Sequence, residues 1–248
     1  MYPVLPIGRL VIPTAPLIYL LGIYFSLSAL ERAAKSLQLP ATRIYALTAN
    51  SVIAGFVVAR FVFVLQNFSD FMTEPLSIIW PLTNGYHVGS GLAAAVLIFL
   101  LLIRRNALPL AHTLDAAIVG VLVALAATSL ADGLARASLG ATTSVPWGIV
   151  TANVRRHPAA VYEIVVSLMA FAAWWRLSND EQPDGHLFLA TVGVLSFGRF
   201  LTEAFRTSAP TVGDGYRSVQ LITLFITLAV MYRLSQTAET EKNQQITS

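Results

Sequence analysis

Leu187-Phe188-Leu189-Ala190-Thr191-Val192-Gly193-Val194-Leu195-Ser196-Phe197-Gly198-Arg199-Phe200-Leu201-Thr202-Glu203-Ala204-Phe205-Arg206 is an apolar run, hydrophobic enough to cross a bilayer, that ends in three charged residues. An ionised side chain at the bilayer centre costs about 2.5 to 3.5 kcal/mol on insertion scales, so such groups face a protein interior, a polar cavity or a substrate path. At spacings i, i+4 and i+7, Arg199, Glu203 and Arg206 share one helix face. That spacing predicts an Arg199–Glu203 pair with Arg206 directed to the interface, an arrangement suited to holding a phosphate at headgroup depth. The same residues would also serve as an internal ion pair that only locks two helices together.

The surrounding chain has the same character. Of its 248 residues, 56% are hydrophobic and 12% charged, about half the charge of a soluble domain. Apolar segments suited to bilayer crossing fall at 10–30, 44–65, 88–103, 116–131, 159–175, 187–201 and 219–234. The expected fold is therefore an all-α integral membrane protein of about seven transmembrane helices, because the alternating strands of a barrel do not give continuous apolar runs. The first span lacks a basic leader and a small-x-small cleavage site, so it reads as a retained anchor. Cysteine is absent, which removes thiol nucleophiles, disulfides and thiolate metal sites. No span carries lysine, which excludes a retinal-type Schiff base. His87, His112, His157 and His186 lack the i, i+3 or i+4 spacing of helix-borne ligands, and neither a metal nor a cofactor is expected.

Organisation points to one membrane domain over 1–234 and a polar, disordered tail over 235–248. Two longer connections, 66–87 with several aromatic residues and two prolines, and 136–157 with Val145-Pro146-Trp147-Gly148 and Arg155-Arg156-His157, are expected to form a small head on the outer side. Eight basic residues fall on the inner side and six on the outer side if the N-terminus is outside, and the short Arg104-Arg105-Asn106 loop favours that N-out, C-in orientation. In it, Arg60, Asp132, Glu163, Arg199, Glu203 and Arg206 all sit toward the outer half of their spans. That convergence predicts one polar cavity. Structural roles remain open for two of these residues, since Arg60 can snorkel to the interface and Glu163 can be protonated or paired.

Three segments resemble the prolipoprotein diacylglyceryl transferases, bacterial inner-membrane enzymes that move a diacylglyceryl group from phosphatidylglycerol to a lipoprotein cysteine. Arg155-Arg156-His157-Pro158-Ala159-Ala160-Val161-Tyr162-Glu163 is similar to the family's R-H-P-S-Q-L-Y-E, and Val145-Pro146-Trp147-Gly148 to its L-P-W-G. Gly198-Arg199 through Arg206 resembles its R-x-x-x-E-x-x-R. The resemblance covers roughly Leu10 to Leu234. It implies a phosphatidylglycerol-like phospholipid and the membrane as partners, allows further membrane-protein subunits, and gives no nucleic-acid role. It assigns Arg199, Arg206, Glu163, Tyr162 and Gly140 to headgroup contact, to which the charge reading adds Arg60 in the second span and Arg136 as a nearby cation. If the chain is active, the resemblance assigns Arg199, Glu203 and His87 to catalysis.

The departures from the family pattern are as specific as the matches. Counted without gaps from Arg104-Arg105 and back from Pro146-Trp147, the signature G-R-x-G-N-F falls on 128–133, so Ser129 stands at the arginine and Asp132 at the asparagine. A following family glutamate is Ala137, the H-G-G segment falls on Gly89-Ser90-Gly91, a first-helix tyrosine is Ala15 with Tyr19 one turn later, and another tyrosine is Leu195. His87 lies two residues from the H-G-G position, about 200° around a helix, and reaches the site only if 86–90 is a loop. Asp132 is expected to pair with Arg136 or Arg199. The favoured reading is a degenerate homologue that binds phospholipid or serves as an accessory subunit. The alternatives are a divergent active transferase and, in another class, a small transporter or channel, for which no broken-helix repeat is visible.

Overall fold

Proline and an apolar contact stop two of the helices in the same way. In Ser36-Leu37-Gln38-Leu39-Pro40 and Arg105-Asn106-Ala107-Leu108-Pro109, the third residue is left-handed, with φ 56° at Gln38 and 51° at Ala107. The next N–H reaches back five residues, Leu39 to the Ala34 carbonyl at 2.9 Å and Leu108 to the Ile103 carbonyl at 3.2 Å. Proline then prevents the helix from continuing. These stops separate α1 (Thr14–Ser36) from α2 (Ala41–Gln66), and α4 (Val88–Arg105) from α5 (Leu110–Ala135).

The computed structural model describes residues 4–7, 10–73, 75–78, 85–135, 140–151, 153–207, 211–212 and 216–247, of which 4–7, 10–13, 73, 75, 211–212, 216 and 238–247 are described by backbone only. The remaining elements are hairpin β1–β2 (Val4–Ile7, Leu10–Pro13), α3 (Phe68–Thr73) with a following 3-10 turn Pro75–Ile78, hairpin β3–β4 (Ile149–Thr151, Val154–Arg156), α6 (Ala159–Leu177), α7 (His186–Glu203), the short pair β5–β6 (Thr211–Val212, Tyr216–Arg217) and α8 (Ser218–Thr247). Each strand pair is antiparallel.

Among the described residues six helices, α1, α2, α4, α5, α6 and α8, are long and apolar enough to cross a membrane. The seventh expected span, α7, is a continuous 18-residue helix, but His186, Arg199 and Glu203 make it less apolar than the others. The first span begins later than expected, since Leu10–Pro13 is a strand and helix starts at Thr14. Val11 and Ile12 are β-branched and Pro13 cannot sit in a helix interior, which accounts for the shift. The tail also differs from expectation: α8 continues to Thr247, because 235–247 contains good helix formers and neither glycine nor proline.

The helices pack as a series in which α4 meets α2, α2 meets α1, α1 meets α5, α5 meets α6, α6 meets α7, and α7 meets α8, with α5 also touching α7. Close approach needs small residues, because lipid tails offer no hydrophobic drive between helices. A Cβ on Gly91 of α4 would lie 2.7 Å from the Ala59 Cβ of α2, and one on Gly55 would lie 2.7 Å from the Gly91 carbonyl. Helix α5 runs antiparallel to α1, with Ser26 Oγ donating to the Gly120 carbonyl at 2.7 Å and His112 Nε2 bonded to the Leu37 carbonyl at 3.1 Å.

The apolar core sits at one end of the bundle, around Leu30, Ala34, Ile44, Val119, Trp174 and Leu187. One buried aspartate organises that end. Asp115 of α5 accepts from the Gly185 N–H and the Phe188 N–H, both at 2.7 Å, and so caps α7 from a neighbouring helix. Trp174 Nε1 donates to the Asp115 carbonyl at 2.7 Å, bringing α6 to the same point. Asp115→Ala strands two N–H groups and is expected to lower stability by on the order of 2 kcal/mol or more, read as a drop in thermal midpoint of the solubilised chain. Asp115→Asn, which keeps one acceptor oxygen, should recover part of that loss.

Candidate functional site

At the opposite end of α5, α6 and α7, the buried groups are charged. Glu163 lies one turn into α6, is 9% exposed, and accepts hydrogen bonds through both oxygens. Its Oε1 takes Arg199 Nη1 at 2.7 Å and Arg206 Nη1 at 2.6 Å, and its Oε2 takes Ser129 Oγ at 2.8 Å. Three helices, together with the chain leaving α7, therefore meet on one carboxylate.

The expected Arg199–Glu203 pair is present only as a long contact, 3.8 Å from Arg199 Nε to Glu203 Oε2. Arg199 is drawn to Glu163 instead. Glu203 is 1% exposed, and its Oε2 makes no hydrogen bond among the described residues; Arg217 donates to the Glu203 backbone carbonyl. Arg206 does not point to the interface as its spacing predicts. Helix α7 stops at Glu203, with the turn closed by Arg206 N–H to the Glu203 carbonyl at 3.2 Å, and the side chain returns inward to Glu163.

These groups surround a cavity of about 500 Å³ whose lining includes Ser129, Asp132, Glu163, Arg199 and Arg206 at its polar part, with Leu125, Val166 and Leu195 among its apolar walls. Asp132 does not pair with Arg199 among the described residues, and a pair with Arg136 falls outside them. Asp132 accepts from the Tyr19 hydroxyl at 2.7 Å, which ties α5 to α1. The Tyr19–Asp132 partnership joins residues 113 positions apart, and no local spacing signals it. Arg136 lies outside the described residues.

The second long connection forms a small head over this end. Thr142 bridges Arg156 and Gly140 bridges Arg206, both antiparallel, while Ala141 N–H donates to the Phe205 carbonyl at 2.7 Å. The head thus holds the backbone at Arg206 while its side chain reaches Glu163. Gly140 meets Arg206 through its backbone, and its lack of a side chain provides space. A Cβ there would lie 2.0 Å from the His157 carbonyl oxygen. Trp147 Nε1 donates to the Tyr162 hydroxyl at 2.8 Å, His157 Nδ1 is bonded to the same oxygen at 3.1 Å, and the His157 ring lies 4.7 Å from that of Phe205. Tyr162 is therefore a fastening for the head and does not line the main cavity.

Two predicted residues lie elsewhere. Arg60 donates to the carbonyls of Ile78 and Gly85 at 3.1 and 2.9 Å and to that of Ser77, and its guanidinium stands 5.3 Å from the Phe71 ring centre and 5.5 Å from that of Tyr86. It clasps the α2–α4 connection and does not line the cavity. His87 is the N-cap of α4, with Nδ1 accepting from the Ser90 N–H at 3.1 Å, and it too is absent from the cavity lining. The predicted convergence of six charges therefore resolves into Asp132, Glu163, Arg199 and Arg206 in the cavity wall, Glu203 buried near Arg199, and Arg60 apart.

Chemically, the described cavity wall carries two cations and two carboxylates. An anion entering it meets arginines that share Glu163 as a counter-ion, with Asp132 supplying the second negative charge of the wall, although the remaining N–H groups of the arginines make no hydrogen bonds among the described residues. No cluster of three or more metal-ligating side chains occurs among the described residues.

Comparison with known proteins places these features in context. The model of the prolipoprotein diacylglyceryl transferase family matches residues 3–235. The phosphatidylglycerol–prolipoprotein diacylglyceryl transferase of Clostridioides difficile is 24% identical over 170 residues, 68% of this chain and 68% of that protein. Proteins of the same description from Aliarcobacter butzleri and Campylobacter jejuni are 28% and 30% identical over 58% and 59% of this chain. The chain spans little more than half the length of those two relatives, 56% of each.

Removing the shared carboxylate leaves two guanidinia facing each other. Glu163→Ala is therefore expected to destabilise the chain by about 2 to 3 kcal/mol, less than a fully buried pair because both arginines keep some solvent contact. Ser129→Ala, which removes one neutral hydroxyl, should cost only about 1 kcal/mol. Denaturation of the solubilised variants checks the order.

Proposed function

The chain belongs to the prolipoprotein diacylglyceryl transferase family, and we propose that this member holds a phosphatidylglycerol-like phospholipid in its polar cavity while carrying little or no diacylglyceryl transfer. It is a multi-pass inner-membrane protein, and the proposal places its N-terminus outside and its C-terminus in the cytoplasm. A role as a lipid-binding or accessory subunit of a membrane assembly follows from retained binding without turnover.

The observation that carries this reading is Ser129. In the register of the family motif an arginine is expected there, and here a hydroxyl donates to Glu163 at 2.8 Å. Transfer to a thiol requires a proton acceptor for the thiol and stabilisation of a departing glycerol phosphate. Arg199 and Arg206 share one glutamate and Asp132 faces the same cavity, so net positive charge at the phosphate depends on a third cation that position 129 does not supply. Loss of one preorganised donor at a developing anion typically costs about 10² to 10³ in rate. His87, the nearest histidine to the family's H-G-G register, caps α4 and does not line the cavity.

Binding asks less of the site. The free N–H groups of Arg199 and Arg206 suit phosphate oxygens, and the apolar walls suit the glyceryl end of acyl chains. The alternative, a divergent active transferase, is favoured by one observation, the retained Arg199, Glu203 and Arg206 at the cavity.

Expression in cells depleted of their own diacylglyceryl transferase separates the two readings. No rescue is expected, and labelled diacylglyceryl should not appear on a lipobox peptide in vitro; robust rescue overturns the proposal. Phosphatidylglycerol should co-purify with the wild-type chain, and Arg199→Gln should lower the amount retained several-fold.

A further inference from the structure

A second cavity, about 570 Å³, opens on the lipid-facing surface between α1, α5 and α6. Its walls are Tyr24, Val123, Phe171, Trp174 and Trp175, and Arg32 stands at one end. It shares Ser167 with the polar cavity but extends the other way along α6, so its far end lies some 12 residues from Glu163, about 18 Å along the helix axis. The groove belongs to the other half of the bilayer. Along α1 it reaches from Tyr24 to Ser36, again about 18 Å, close to the hydrocarbon depth of one leaflet, about half of 30 Å.

The end of the groove carries an unmatched charge. Arg32 is exposed and makes no hydrogen bond or ion pair among the described residues, while the adjacent Glu31 is taken by Lys35 at 2.8 Å. Trp175, exposed at the same end, suits the membrane interface, while the buried Trp174 closes the groove from the core side. A guanidinium at headgroup depth above an aromatic slot one leaflet deep is complementary to a lipid phosphate with its chain below.

We infer that this groove seats an acyl chain of an anionic phospholipid from the leaflet opposite the polar cavity, with the lipid phosphate against Arg32. The inference rests on the chain's residence in a membrane and is independent of how the polar cavity is read.

The test uses the full chain in phosphatidylcholine nanodiscs containing a minor fraction of a diazirine-acyl probe, either phosphatidylglycerol or phosphatidylcholine, with labelled peptides mapped by mass spectrometry. The phosphatidylglycerol probe should label the α1 segment 24–36 and the α6 segment 168–175 about fivefold more than the other, the ratio given by ~1 kcal/mol per basic side chain near the surface at 1.4 kcal/mol per decade. Arg32→Gln should bring the two probes to parity, Arg32→Lys should keep most of the preference, and Ala126→Phe, which fills the groove, should remove labelling by both. Arg199→Gln should leave this labelling unchanged, which separates the result from that of the polar cavity. Equal labelling by the two probes, insensitivity to Arg32→Gln, or exclusion of both because a second copy of the chain occupies the groove overturns the inference.

Discussion

The Glu163 carboxylate is the constraint around which the functional end of the molecule is built. A buried charge in a bilayer is costly unless it is paired and hydrogen-bonded, and here one carboxylate accepts from Ser129, Arg199 and Arg206. The contacts reach α5, α7 and the chain beyond α7 from a single point on α6. The helix ends and the head must be arranged to permit this. Gly140 leaves room for the His157 backbone, and the bridge from Gly140 to Arg206 sets where the second guanidinium begins.

The two ends of the bundle solve different problems with acidic residues. At the apolar end, Asp115 satisfies the exposed N–H groups of α7 and anchors Trp174, so a carboxylate acts there as a helix cap between elements. At the other end, Glu163 balances cations and Asp132 binds a tyrosine hydroxyl. Between them run close helix contacts made by small residues. The consequence is a stable end and a polar end on the same three helices, which is where a cavity can exist without unfolding the bundle.

Membership of the family does not by itself fix the chemistry of this member. In this chain the Ser129 hydroxyl donates to Glu163, which is the shared counter-ion of Arg199 and Arg206. The binding role proposed above rests on that arrangement, together with the arginine that the family register leads one to expect at position 129.

Periodic apolar runs determined the membrane class and the helix sequence, because a bilayer demands long segments with internally satisfied backbone groups. The Arg199–Arg206 segment likewise marked the polar end before any contact was known. Local spacing could not decide partners. It paired Arg199 with Glu203 and sent Arg206 outward, whereas Glu163, far away in sequence, lies closer to both. Placement in the outer half of its span drew Arg60 toward the site and the family register drew His87, although each satisfies groups in its own connection. Only the tertiary structure decided these assignments, because an ion pair forms with the nearest well-oriented opposite charge in space, and helix packing brings that charge from another span.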